Sequence, residues 1–465
     1  MKKTENNNPP TSVSMGHIVQ SWWPLAMSWL FMAAEGPMMN AVVARMANPE
    51  IHLAAWGGVV IALSLIIEAP IIMLLSASTA LSKDWDSFVK LRRFMMSAGA
   101  ILTVIHVLIA FTPLYDIVVV DVIGAPAEIV QPARIGLMIM TPWTWAIAYR
   151  RFNQGVLIRF GHSRAVSVGT VIRLSADGLV LGFGYLVEIG ALSIPSGPIP
   201  GIIVATSAIA TGVVSEAVYA GLRVRPVLRD QLKEAPPTDE PLTLPIFLAF
   251  YTPLAMTSLL NMLIQPLISA ALSRMPAAIE SLAAWSVVSG FIFLFRSLGY
   301  AYNEVVIALL EKPKAVSKLR RFAIGLSLST SLLLLVIAAT PLGAFWFEQI
   351  SALPPHLSII ASASLWVALP IPGLNVLMSW YQGILVHNRR TRAISEAMAI
   401  FLLIAGGILL GGVLWGNITG LYVGLAAFGI GMLGQTAWLW RRSRSKIQDM
   451  RRQESQACCR CVSPR

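Results

Sequence analysis

Two stretches decide how this chain folds: "WPLAMSWLFMAAEGPMMNAVVAR" at 23–45 and "TPLAMTSLLNMLIQPLISAALSR" at 252–274. Laid over each other, they match Pro24 with Pro253, Pro37 with Pro266 and Arg45 with Arg274, all at an offset of 229. The tetrapeptide LAAW at 53–56 returns at 282–285 with the same offset. Further on, "NQGVLIRFGHSRAVS" at 153–167 parallels "YQGILVHNRRTRAIS" at 381–395 at an offset of 228. One such match is weak. Several at almost one offset establish an internal duplication.

The duplicated unit belongs in a membrane. Of 465 residues, 56% are hydrophobic and 12% charged, with a mean hydropathy of +0.69. Soluble domains carry about 25% charged residues. Apolar runs of about 20 residues mark membrane helices, and twelve occur, at 17–44, 53–81, 93–114, 133–160, 165–187, 198–222, 243–273, 279–310, 319–341, 356–387, 391–413 and 418–440. The polar start "MKKTENNNPPTSVS" has no apolar core or small-residue cleavage site, so it is expected to stay in the mature chain. The stretch "RVRPVLRDQLKEAPPTDEP" at 223–241 is the most polar internal segment and reads as a linker. The expected organisation is an N-terminal segment 1–16, a first lobe 17–222, a linker 223–242, a second lobe 243–440 and a basic tail 441–465. The tail holds Cys458, Cys459 and Cys461, too few for a disulfide framework or a complete metal site, and is expected to be unstructured, with lipidation or thiol reactivity as the other reading.

Six helices separate the copies, so both lobes have the same orientation. A parallel repeat about an axis along the membrane normal is a transporter architecture, with the substrate held near the bilayer midplane. Lys and Arg cluster in alternate connections, at 83–93, 159–164, 223–233, 312–321 and 389–392, and in the tail from 441. The connections between them carry only Arg45, Arg134 and Arg274, and the one after the third run is acidic, with Asp116, Asp121 and Glu128. Positive-inside bias puts both termini in the cytoplasm of a cell that carries the chain in its inner or plasma membrane. The net charge of +12 is this same bias and needs no nucleic-acid partner.

Ionisable residues inside the runs are functional candidates, because a charge at the bilayer centre costs about 2.5–3.5 kcal/mol on insertion scales. Arg151 sits nine residues before the end of the fourth run at Phe160, ~13 Å deep at helical rise, with Arg150 beside it. Arg173 is about as deep in the fifth run, with Asp177 one turn on and spaced for a local ion pair. The repeat partners of these four are Met378, Ser379, Phe401 and Ala405, so the expected cluster is net positive and belongs to the first lobe alone. Guanidinium forks bind carboxylate or phosphate bidentately, which makes Arg150, Arg151 and Arg173 the expected anion site. Asn153, Gln154, Asn261 and Gln382 are candidate lining residues, with interhelical hydrogen bonds as their other reading. Arg296 aligns with Ile67, beside Glu68, and a lobe-to-lobe salt bridge between Glu68 and Arg296 is a candidate gate. Glu35 lies mid-helix beside Gly36 and Pro37. His106 reads as structural.

The pattern resembles the multidrug/oligosaccharidyl-lipid/polysaccharide (MOP) exporter superfamily, whose MATE-like members have two six-helix lobes. Within it the chain is most similar to the progressive ankylosis (ANK) transporter family. The residues that carry this are Pro253-Leu254-Ala255, Pro266 and Ser273-Arg274 in the seventh run, "VIHVLIAF" at 104–111, "WPL" at 23–25, "PIP" at 370–372 followed by Gly383, and "GLYVGLAAFGIG" at 420–431. The resemblance implies a monomeric, twelve-helix, all-α exporter working by alternating access on a small anionic metabolite such as citrate, ATP or pyrophosphate. It also implies a coupling ion, H⁺ or Na⁺, at an acidic residue of the first lobe, for which Glu35, Glu68 and Asp177 are the candidates. Multidrug export of organic cations and flipping of a lipid-linked saccharide are the alternatives within the superfamily. No phosphate-cradling glycine loop, acid/base constellation or metal-ligand set stands out, so neither an enzyme nor a cofactor is expected.

The charge bias makes a direct prediction. In a chain whose native cysteines are replaced, a membrane-impermeant thiol reagent added outside intact cells labels Asp121→Cys and leaves Gln231→Cys unlabelled. Labelling of both or the reverse pattern overturns the orientation.

Overall fold

The computed structural model describes residues 13–195, 197–237, 241–310, 312, 315–388, 390 and 392–462. Among them every regular element is helical. In chain order the long helices are α1 (Met15–Val43), α2 (Pro49–Leu81), α3 (Trp85–Phe111), α4 (Ala127–Ile139 continued by Thr141–Arg159), α5 (Ser163–Glu188) and α6 (Gly201–Leu232). The second set is α7 (Leu244–Leu272), α8 (Ala278–Leu309), α9 (Ala315–Ala339), α10 (Pro355–Ala368 continued by Pro370–His387), α11 (Arg392–Trp415) and α12 (Gly420–Val462).

Nine of the described helices are long and apolar enough to cross a membrane, ten when the two bent parts of α10 are taken as one span. The remaining two are α1 and α4. Both are long enough but too polar to qualify, and both carry charges of the site described below, Glu35 in α1 and Arg150 and Arg151 in α4. Two further expectations change. α6 runs on to Leu232, so the first half of the expected linker is helical. α12 continues to Val462, through the tail expected to be unstructured. The side chains of Cys458, Cys459 and Cys461 lie outside the described residues, as do residues 1–12, 238–240 and 463–465.

The duplication recurs in backbone detail. α10 bends by 42° where Pro370 begins its second part, and α4 breaks at the repeat-equivalent Pro142. Proline removes a backbone donor and clashes with the preceding turn. Asn48 and its partner Ala277 both take left-handed φ, 51° and 54°, at the starts of α2 and α8. Alanine has no intrinsic preference for that region, so the fold imposes it. Each lobe also has a π-helical turn at the same place, Ile117–Ile123 and Trp346–Ile350.

The lobes meet face to face on this pseudo-two-fold axis. Gly57 of α2 stands against Ser286 of α8, its own repeat partner, and a Cβ on Gly57 would collide with that side chain. One residue cluster forms a core continuous through both lobes. α1 does not stay with the first lobe. It packs chiefly along α8, with Trp22 Nε1 donating to the Leu298 carbonyl at 3.1 Å and Trp29 Nε1 to Glu304 at 3.0 Å. Its start and the tail of α12 share one end of the bundle. Lys318 Nζ donates to the Val13 carbonyl at 2.5 Å, and Glu454 accepts from the Val316 amide at 2.8 Å.

At the opposite end, two arginines staple the lobes together. Arg45 donates to the carbonyls of Gln349 (2.7 Å) and Ile350 (3.0 Å) across the interface. Arg274, its repeat partner, donates to those of Asp121 (3.0 Å), Val122 (2.8 Å) and Ile123 (2.5 Å). Each also bonds a carbonyl four residues back in its own helix, Ala41 at 2.7 Å and Ala270 at 2.8 Å. The acceptors end the π-helical turn of the other lobe, where unsatisfied carbonyls attract cations. Gly124, at φ 74°, lets the Arg274 guanidinium lie flat against the chain. Glu50 and His356 add a third cross-lobe contact at 2.9 Å.

Hydrogen bonds to a charged group contribute about 1.5–3 kcal/mol each in protein interiors, less where exposed. Removing both staples by Arg45→Ala and Arg274→Ala therefore shifts the lobe equilibrium toward opening at this end by ~1–3 kcal/mol. A single cysteine at position 289, in the inter-lobe cavity, is expected to react at least fivefold faster with an impermeant thiol reagent applied from that side. An unchanged rate assigns the staples to folding alone.

Candidate functional site

The charges foreseen in the first lobe converge, and acidic residues from α1 and α6 join them. Arg150 of α4 pairs with Glu216 of α6, whose side chain is 1% exposed. Gln154, one turn further along α4, donates Nε2 to the other Glu216 oxygen at 2.8 Å. Arg173 of α5 binds Glu35 of α1 with both fork nitrogens, Nε at 2.9 Å and Nη2 closer, and its Nη1 lies 3.8 Å from Glu216. Four helices are thereby tied through one chain of alternating charge. The local pair between Arg173 and Asp177 does not form, because the Arg173 fork reaches across to α1 instead. Asp177 is fully buried and lies within hydrogen-bond reach of Glu35. Neither Asp177 oxygen has a hydrogen-bond donor.

Glu216 is the residue sequence reasoning missed. It is the one acidic residue within the apolar run at 198–222, and the rule that singles out Glu35 applies to it equally. Its presence changes what the arginines are free to do: Arg150 is committed to Glu216 and Arg173 to Glu35.

Arg151 is not. Its buried Nε has no hydrogen-bond partner, and it faces the field of Arg150, Glu68 and Glu216. Glu68 of α2 is 3% exposed and one of its oxygens is likewise without a partner. The expected bridge from Glu68 to Arg296 is absent in this conformation. Arg296 of α8 donates Nη2 to the Tyr300 hydroxyl at 2.6 Å and lies 4.7 Å from the ring centre of Phe428. Its Nε has no partner, and no carboxylate pairs with it among the described residues.

Arg296 lines a cavity of about 310 Å³ between the lobes. Trp56, Gly57 and Leu65 of α2, Gln265 of α7, and Trp285, Ser289 and Phe293 of α8 form much of its wall. Glu35 and Asn40 of α1 complete it. Trp56 and Trp285 are repeat partners from the LAAW blocks and enclose it from opposite lobes. Beside them Asn40 donates to the Ser286 carbonyl at 2.9 Å and accepts from its hydroxyl at 3.1 Å. Glu68 falls one turn from Leu65 on the cavity-facing side of α2, and Asn261 one turn from Gln265 on α7. The other polar candidates lie elsewhere. Asn153 bonds the Tyr149 carbonyl of its own helix at 2.9 Å, and Gln382 is not among the cavity residues. His106 is fully buried between Thr144 (2.9 Å) and the Leu137 carbonyl (3.0 Å), as a structural residue would be. No group of three or more metal-ligating side chains occurs among the described residues.

The fold has counterparts among solved transporters. The chain is similar to an inward-facing multidrug resistance MATE family transporter of the MOP superfamily, with a TM-score of 0.69 and 14% identity over 93% of this chain and 99% of that one. A MATE structure in a bent conformation matches with a TM-score of 0.62 and 14% identity, covering 96% and 100%. A MOP superfamily transporter from Pyrococcus furiosus, described by the reversed polarity of its binding pocket, matches with a TM-score of 0.61 and 14% identity, covering 95% and 99%. No family model and no curated protein matches the sequence. The chain is therefore an all-helical, multi-pass membrane protein with the fold of MATE and MOP superfamily transporters.

The buried pairs set a stability test. Removing one member of a buried ion pair costs about 3–5 kcal/mol, whereas replacing both by apolar groups of similar volume is often neutral. Glu216→Ala is expected to lower the thermal unfolding midpoint of the purified protein sharply, and Arg150→Met with Glu216→Leu to recover most of the loss. A double variant as unstable as Glu216→Ala would mean that the network as a whole, with Gln154 and Arg173, needs the Glu216 carboxylate.

Proposed function

We propose that this chain is a secondary active transporter that exports a small organic anion by rocking its two lobes about the central cavity. The observation that supports this most is Arg296. It is a guanidinium on the cavity wall, held in place by Tyr300 and Phe428, with no carboxylate paired to it among the described residues. A half-buried, pre-positioned guanidinium is a strong ligand for carboxylate or phosphate oxygens. This moves the anion site from Arg150 and Arg173, which are occupied, to Arg296, with Arg151 the second uncommitted cation on the path. The reversed pocket polarity described for the Pyrococcus furiosus transporter is precedent for a cavity of different charge on this fold.

Coupling fits the opposite wall. Glu35 lines the cavity and faces Asp177. Two buried carboxylates in contact repel, and a cation held between them relieves the repulsion. A proton or Na⁺ bound there weakens the Arg173–Glu35 link and with it the tie between α1 and the first lobe. ANK-like transport, a plasma or inner membrane location and cytoplasmic termini complete the reading, the last from the basic connections at the end of the bundle that holds both termini.

Ligands that bind the folded state raise its apparent melting point. The purified full chain is expected to be stabilised by organic anions and not by ethidium or tetraphenylphosphonium, and Arg296→Gln to abolish the shift while Arg150→Met does not. Stabilisation by the cations, or by anions equally in Arg296→Gln, overturns the anion reading in favour of multidrug export.

A further inference from the structure

The cavity's charge and walls point to a narrower substrate class. We infer that the substrate is a small aromatic anion with a single negative charge, its carboxylate or equivalent on Arg296 and its ring between Trp56, Trp285 and Phe293. The inference rests on the anion reading above and deepens it.

The first argument is charge. Among the residues that line the cavity, Arg296 is the one cation and Glu35 the one acidic residue. One negative charge is met by Arg296 and offset by one coupling cation at Glu35 and Asp177. Each further negative charge enters a low-dielectric space with no free partner on the cavity wall, opposite the Glu35 carboxylate. Citrate, pyrophosphate and nucleotides carry several charges and fit a wall with one cation poorly.

The second argument is the wall itself. Both tryptophans are almost fully buried, 5% and 3% exposed, and come from opposite lobes as repeat partners. Phe293 lies one turn from Arg296 on α8 and faces the same space. Aromatic faces flanking a single cation suit a flat ring with one acidic group. A volume of about 310 Å³ stands at the lower end of ligand pockets, which holds the ring system to one or two rings. Gln265 on α7 and Ser289 on α8 offer neutral polar contacts, which orient a small acid but supply no second positive charge for a polyanion.

The test compares three sets of probes by equilibrium binding to the purified full chain: benzoate and indole-3-carboxylate; acetate and lactate; citrate, pyrophosphate and ATP. The aromatic monoanions are expected to bind at least tenfold tighter than either other set. Arg296→Gln should weaken them at least tenfold, Arg296→Lys should restore part of the affinity, and Trp285→Leu should weaken aromatic acids while leaving acetate unchanged. Each variant's unliganded melting point verifies that it is folded. Tighter binding of the polyanions through Arg296 overturns this substrate class and leaves the anion reading standing. Equal binding of acetate and benzoate removes the aromatic requirement and overturns it likewise. Binding that ignores Arg296, or no binding by any anion, overturns both.

Discussion

Everything in the first lobe depends on the cost of placing charge in hydrocarbon. Arg150, Arg151 and Arg173 lie far from either end of their helices, where side chains cannot reach water by snorkelling. The fold meets that cost by carrying acidic groups to them on other helices, Glu216 on α6 and Glu35 on α1. The resulting chain of charges ties α4, α5, α6 and α1 together at mid-depth. It also makes α1 a shared element. Its second half is bound to the first lobe through Glu35, while its first half lies along α8 and belongs to the packing of the second lobe. Any event that changes the charge at Glu35 acts on a helix gripped by both lobes.

Symmetry and asymmetry have separate uses here. What the two lobes share is mechanical: the proline bends in α4 and α10, the π-helical turns, the axis contact of Gly57 with Ser286, and the arginine staples at one end. What they do not share is chemical. The second lobe has Met378, Ser379 and Phe401 where the first has its arginines, and supplies a single cation, Arg296. The cavity between them consequently has a carboxyl group, Glu35, on one side and a guanidinium, Arg296, on the other.

The duplication, the membrane class, the helix positions and the depth of the charged residues were all legible in the sequence. Each follows from local composition or from a match at fixed offset, and neither requires knowing which helices touch. Glu35, Glu68, Asp177 and Arg296 were recognisable because a charge inside an apolar run stands out against its neighbours. Glu216 is visible by the same rule, as the one acidic residue of the run at 198–222.

Which charge meets which was not legible. Spacing along α5 favours Asp177 as the partner of Arg173, and only the packing of α1 against α5 makes Glu35 the partner instead. Repeat alignment sets Glu68 beside the equivalent of Arg296, yet the chain places Glu68 toward Arg151 and Arg296 toward Tyr300 and Phe428. The sequence alone determined that this protein is a duplicated bundle of membrane helices with charges buried in one half, because hydrophobic burial and charge penalties are properties of individual residues. The tertiary structure alone decided which of those charges are neutralised and which one faces the cavity, because pairing depends on distances between helices far apart in the chain.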